Sequence, residues 1–200
     1  MTDDTLSALL QRVRSCTVCA EHLPLGPRPI VQAAAGAAIL IIGQAPGTAV
    51  HASGIPWDDP SGDRLREWTG LNRATFYDPE RVALMPMGFC YPGKIAGSGD
   101  APPRPECAPL WHASLRAQLG AVRLTLLVGQ YAQAAYAPGP KVTLTERVRA
   151  VGSTDQMALP HPSWRSTGWM RRNPWFEMDV LPMLRERVDE ALARPAAAAL

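Results

Sequence analysis

Ten residues, Ala38-Ile39-Leu40-Ile41-Ile42-Gly43-Gln44-Ala45-Pro46-Gly47, constrain this chain more than any other stretch. A short apolar run rich in β-branched residues reads as a buried strand. It stops at Gly43, and Gly, Pro and Gly then set a tight turn that few other residues can follow. Gln44 is carried at the mouth of the strand. In open α/β sheets ligands bind in the crevice outside the carboxyl ends of the strands. The turn is therefore either a plain strand terminator or one wall of a site.

Three further apolar runs end in the same way. Residues 81–87 run into Gly88-Phe89-Cys90, residues 122–128 into Gly129-Gln130, and residues 156–159 into Pro160-His161-Pro162-Ser163. Helical spacing separates them. It covers residues 3–14, with Thr2 or Asp3 as N-cap, and 61–70, capped by Asp59 or Ser61. It recurs over residues 107–119, 130–136, 143–150 and 175–193, the last burying Val180, Leu181, Leu184, Val188 and Leu192. Strands alternating with helices predict an α/β fold: three α/β/α layers around a central, about four-stranded, mainly parallel sheet. The four strand ends then share one rim, and that convergence marks a site without reference to any relative.

The length of 200 residues suits one domain, expected over residues 1–194, with an Ala-rich tail at 195–200 expected to be disordered. No apolar run reaches membrane-spanning length, and the N-terminus lacks the form of a signal peptide. The expectation is a soluble cytoplasmic monomer with no membrane partner. The net charge is only +2. However, Arg64, Arg66, Lys94, Arg104, Arg165, Arg171 and Arg172 all fall in or beside expected loops. That permits a nucleic-acid surface without requiring one.

The chain has 4 cysteines, Cys16, Cys19, Cys90 and Cys107. The Cys16-x-x-Cys19 pair lets two sulfurs converge on one metal, and Cys90 and Cys107 flank one proline-rich loop that could complete a four-thiolate shell. A reducing compartment argues against disulfides. Spacing alone leaves three readings open: zinc, a [4Fe–4S] cluster, or unrelated buried and redox thiols.

Gly43-Gln44-Ala45-Pro46-Gly47 together with His161-Pro162-Ser163 resembles the two signature motifs of the uracil-DNA glycosylase superfamily. The four cysteines, with sixteen residues between Cys90 and Cys107, resemble its iron–sulfur-containing branch. Gly54-Ile55-Pro56-Trp57 sits where that branch carries Gly-x-Pro-Phe. The resemblance runs from about residue 12 to about residue 190. It implies that Cys16, Cys19, Cys90 and Cys107 hold a structural [4Fe–4S] cluster, with zinc as the alternative occupant, and that the partner is DNA containing uracil or an abasic site.

The chemistry accounts for the residue types. A base within duplex DNA cannot be reached, so its nucleotide is extruded into a pocket, which costs on the order of a few kcal/mol. By the resemblance, Gly43, Gln44, Ala45, Trp57 and His161 bind that base, with Trp57 as the stacking surface. His161 aims a donor at the base carbonyl where negative charge gathers, an interaction worth about 3–4 kcal/mol. By the same resemblance Ser163 binds a phosphate oxygen or caps the local turn, Trp164 or Arg165 fills the vacated space, with a place in a hydrophobic cluster as the other reading of Trp164, and Arg171 and Arg172 either meet backbone phosphate or form a solvated helix start. Trp169 and Trp175 read instead as a hydrophobic cluster holding the last helix.

Two departures from the family pattern stand out. The first motif of the family supplies a carboxylate at the position of Gln44 or Ala45, and here both are replaced. Gln44 can position water but cannot accept its proton. A dissociative path, in which the base leaves before water attacks, tolerates that loss; otherwise Asp58, Asp59 or His51 has to stand in. The family's base-reading Asn corresponds to Pro86, so readout falls to backbone groups, to Gln44 or Gln130, or selectivity for uracil is relaxed. The expected activity is a monofunctional DNA glycosylase that excises uracil and leaves an abasic site. The alternatives are a sensor of DNA damage or abasic sites on the same fold, and a zinc-stabilised nucleotide-binding module.

Overall fold

The computed structural model describes residues 5–97, 99–137, 142–150 and 155–193. The expected caps Thr2 and Asp3 and the Ala-rich tail lie outside the described residues. The first helix, α1 (Leu6–Arg14), is capped by Thr5, whose hydroxyl accepts the Ala8 N–H at 3.3 Å. Then follow β1 (Ile39–Ile42), α2 (Thr48–Ser53), α3 (Pro60–Thr69), α4 (Arg73–Phe76) and β2 (Val82–Leu84). A hairpin of β3 (Lys94–Ile95) and β4 (Gly99–Asp100) precedes α5 (Cys107–Ala117), β5 (Leu124–Val128), α6 (Gln130–Tyr136) and α7 (Leu144–Arg149). The chain continues through β6 (Gln156–Leu159), α8 (Thr167–Arg172), a single wide turn at Phe176–Val180, and α9 (Leu181–Ala193).

Four strands form one parallel sheet in the order β2-β1-β5-β6. Ile41 of β1 stands level with Leu84 on one side and with Leu126 on the other. The chain first winds from β1 to β2, then returns to lay β5 against the opposite edge of β1. The direction of winding reverses at β1, and at such a reversal a crevice opens beyond the carboxyl ends of the strands.

Alternation along the strands sorts the core onto two faces. Ile39 and Ile41 join Leu65 and Trp68 of α3 and Leu184 and Val188 of α9. Leu40 and Ile42 join Leu9 and Val13 of α1 and Leu115 of α5. The result is the expected α/β/α sandwich. Trp68 meets Phe176 edge-on at 5.0 Å, and Trp169 packs against both Phe176 and Trp175 at 5.4 and 5.7 Å. These indoles are the hydrophobic cluster that carries the last helix.

The boundaries differ from expectation where proline intervenes. The second strand ends at Leu84 instead of 87, because Pro86 has no N–H to give. The backbone still tracks β1: Met85, Met87 and Gly88 donate to the carbonyls of Ile41, Gly43 and Gln44, each at 3.0 Å. The last helix is interrupted because Pro182 cannot donate to Met178, and the preceding turn widens. Gln133, buried in the middle of α6, gives its amide to the carbonyls of Leu127 (3.3 Å) and Leu159 (2.8 Å). That bond pair locks the ends of β5 and β6 together at the rim. Among the described residues no helix is long and apolar enough to cross a membrane.

Replacing Phe176 with Ala removes a fully buried ring shared by α3, α8 and α9. Urea denaturation should show a loss of about 3–5 kcal/mol with an unchanged m-value.

Candidate active site

A cleft of about 900 Å³ opens at the carboxyl ends of the sheet. Gly43, Gln44 and Ala45 from the turn after β1, Trp57, and His161, Ser163, Trp164 and Arg165 from the loop after β6 all line it. Residues more than a hundred positions apart in sequence thus meet at one rim. Arg171 lies on the exposed part of α8, apart from the lining.

Trp57 is held in an unusual way. Its φ of 59° is the only positive value among the described non-glycine residues, a left-handed conformation costing roughly 1–2 kcal/mol. Its carbonyl accepts from the Tyr77 hydroxyl at 3.2 Å and from Arg66 at 3.5 Å. Buried Arg66 is fixed in turn by Asp63 and by Tyr77 at 2.9 Å. Two glycines make room for this residue. A Cβ on Gly62 would fall 1.7 Å from the Trp57 carbonyl oxygen, and one on Gly43 would fall 2.7 Å from the indole. The indole therefore lies directly over the motif turn, its centroid 5.8 Å from that of the His161 ring, with planes tilted by 31°.

His161 sits where β6 ends. Burial pushes its pKa down, only partly opposed by the charge of Asp100, so at neutral pH the ring is uncharged and carries one N–H donor. The loop behind it is clamped. The Ser166 hydroxyl donates to the carbonyls of His161 (2.6 Å) and Ser163 (2.7 Å). Arg64 of α3 donates to the Ser163 carbonyl at 2.9 Å. Next to this fixed segment, Trp164 is 76% exposed, with the Arg165 guanidinium over its ring at 5.6 Å.

The carboxylates are distributed differently from expectation. Asp58 is not among the lining residues; it is ion-paired with Arg73 at 3.0 Å, which holds its carboxyl below the usual range. Asp59 does line the cleft, but it is the cap of α3, accepting the Gly62 N–H at 2.8 Å, and burial raises its pKa. His51 lies outside the lining, its ring beside Tyr91 at 5.9 Å and its Nδ1 buried without a partner. Gln44 spends its amide on the Ala101 carbonyl at 3.4 Å. Asp100 lines the cleft from β4, a position that sequence reading missed because the hairpin lies within a stretch that reads only as loop.

Pro86 also lines the cleft. Its carbonyl is 3.0 Å from Nε2 of His112, whose Nδ1 is 2.6 Å from the Tyr136 hydroxyl. Nε2–H therefore donates to Pro86 and the tyrosine donates to Nδ1. Burial pushes the His112 pKa down to about 4.

On the other side of the rim Cys16, Cys19, Cys90 and Cys107 line one pocket together with Phe89 and Trp111. The Phe89 N–H points at the Cys107 sulfur at 3.3 Å, and the buried indole N–H of Trp111 has no partner. Cys19 lies 3.7 Å from Glu106, whose carboxyl is drawn down to about 2 by Arg104. Burial raises the Cys19 and Cys90 thiols and pushes Cys107 up to about 12. Among the described residues no three His, Cys, Asp or Glu side chains are grouped to hold a single metal ion.

Fold and site together define an open-sheet α/β protein with its ligand cleft at the point where the winding reverses, walled by an indole and a neutral imidazole. The model of the uracil DNA glycosylase superfamily matches residues 31–185, and the chain belongs to that superfamily. Membership implies a DNA glycosylase, a hydrolase that binds DNA.

Two measurements probe this geometry. Gly43→Ala should leave the protein folded but displace the Trp57 indole, seen as altered near-UV circular dichroism. For His112, the unfolded imidazole titrates near 6.5 and the folded one near 4. The unfolded chain thus binds the extra proton between those values, and stability falls as pH drops through that window. His112 should contribute a loss of about 2 kcal/mol between pH 7 and pH 5, and His112→Gln should flatten that part of the profile.

Proposed function

We propose that this protein is a monofunctional DNA glycosylase that extrudes uracil from DNA and hydrolyses its N-glycosidic bond, leaving an abasic site. The observation that carries this reading is the pairing of Trp57 and neutral His161 across one cleft, next to Gln44. An indole gives a flat face for a base, and a neutral imidazole N–H gives an uncharged donor for its carbonyl. The bond breaks with its electron pair going to the base, and the donor stabilises the charge that develops there. Exposed Trp164 and Arg165 are suited to occupy the space left in the duplex, with the Arg64 and Ser166 clamps holding them in register.

A second reading is supported by Gln44. The motif carries no carboxylate, and the Gln44 amide is engaged with Ala101. A protein that binds damaged or abasic DNA without cutting it would have that motif. Single-turnover assays on duplexes holding uracil, hypoxanthine or xanthine, run beside an abasic-site gel shift, separate the two. Excision of uracil supports the glycosylase, and tight abasic binding with no excision supports the sensor. His161→Ala should lower uracil excision by about 10²–10³-fold, the effect of losing one such donor. Unchanged excision would remove His161 from the chemistry.

Cys16, Cys19, Cys90 and Cys107 are further proposed to hold a [4Fe–4S] cluster with a structural role. Four thiols around one pocket, a backbone N–H aimed at one of them and an unpartnered indole N–H on Trp111 suit the sulfur-rich acceptor that a cluster presents. Zinc would draw four sulfurs to within about 3.8 Å of one another, given tetrahedral bonds of about 2.3 Å. Protein purified without oxygen should be brown and contain iron and acid-labile sulfide. Colourless protein with stoichiometric zinc would overturn the cluster.

A further inference from the structure

We propose that Asp100, on the β3–β4 hairpin, is the carboxylate that activates the attacking water. This rests on the glycosylase reading above and supplies what the motif turn lacks. Hydrolysis needs the C1′–N bond to break with its electron pair leaving on the base, and a water oxygen to bond to C1′. One proton of that water must then go to a base. Asp100 takes it, and the departed base regains a proton from solvent, so atoms and charge balance.

Two acids line the cleft among the described residues, Asp59 and Asp100. Asp59 is committed to capping α3 and lies against the backbone that holds Trp57. Asp100 has a different setting. Its Oδ2 lies 3.4 Å from where a Cβ on Gly47 would begin, so the carboxylate sits over the motif turn after β1. Its charge is felt by His161 from across the cleft. The hairpin is fastened to that turn by the Gln44 amide on the Ala101 carbonyl, and Ala101 N–H donates to Gly93 at 2.8 Å. Lys94 is its cross-strand neighbour, and the Arg165 guanidinium approaches to 2.8 Å of the Cβ position of Gly99. Residue 44 thus holds the hairpin in place, and the hairpin brings the acid that residue 44 lacks.

The test compares wild type, Asp100→Asn and Asp100→Ser in single-turnover excision of uracil, with binding to abasic duplex measured in parallel. Both variants should excise at least about 10²-fold more slowly. Their affinity for abasic DNA should not fall, since a negative charge has been removed from a DNA-facing rim. Gln44→Glu places a carboxylate on the same turn; it should raise the rate of Asp100→Asn by at least about tenfold while changing the wild-type rate little, a difference between the two backgrounds that a structural role for the hairpin does not predict. Excision by Asp100→Asn and Asp100→Ser at the wild-type rate overturns the assignment. So does a slower rate with an equal loss of DNA affinity and no rescue. If the wild type excises no base at all, the glycosylase reading falls and takes this assignment with it; loss of the Asp100 role alone leaves wild-type excision intact.

Discussion

The Trp57 indole lies over Gly43 because two glycines leave space that no other residue would leave. Gly43 gives up its side chain to the ring, and Gly62 gives up its own to the Trp57 carbonyl. Tyr77 and Arg66 then hold that carbonyl, and the backbone is kept in a left-handed conformation that a tryptophan does not adopt unaided. The cost of that strain falls on the surrounding packing of α3 and α4. What it secures is a flat apolar face at a fixed height above the end of β1. The His161 ring is then set beside that face by β6, whose end is tied to β5 by Gln133.

This arrangement follows from the sheet order. With β1 between β2 and β5, the turn after β1 lies at the reversal of winding, and the loops after β5 and β6 rise on one side of it. The chain between β2 and β5 supplies the opposite wall: first the cysteine loop, then the β3–β4 hairpin, then α5. The same segment holds Pro86, which the His112–Tyr136 pair fastens from behind. Along this segment Pro86, Asp100 and Pro102 line the cleft, while Gly88, Cys90 and Arg104 line the cysteine pocket.

Much of this was legible from residue types. Buried strands without polar interruption, such as Ile39–Ile42, announce themselves by composition, and Gly43 and His161 mark their ends. The boundaries that shifted did so at Pro86 and Pro182, where a missing N–H acts on the hydrogen-bond ladder and not on hydrophobic pattern. What sequence reading could not reach was pairing at a distance. Asp58 looked available, yet Arg73 of α4 neutralises it. Asp59 was legible as a cap and is one. Asp100 gave no signal, because a two-residue strand in a glycine-rich segment has no periodicity, and only the fold carries it back over Gly47. The short helices α2, α4 and α8 also went unread.

The claim on which the account turns is that a single extruded base rests on Trp57 within reach of His161. A crystal structure of the protein with duplex DNA carrying a 2′-fluoro-uridine, which resists cleavage, tests it directly. The uracil ring should lie outside the helix, against the indole, with a carbonyl oxygen in hydrogen-bond contact with the His161 imidazole. A uracil still stacked in the duplex, or lodged away from Trp57 and His161, would contradict it.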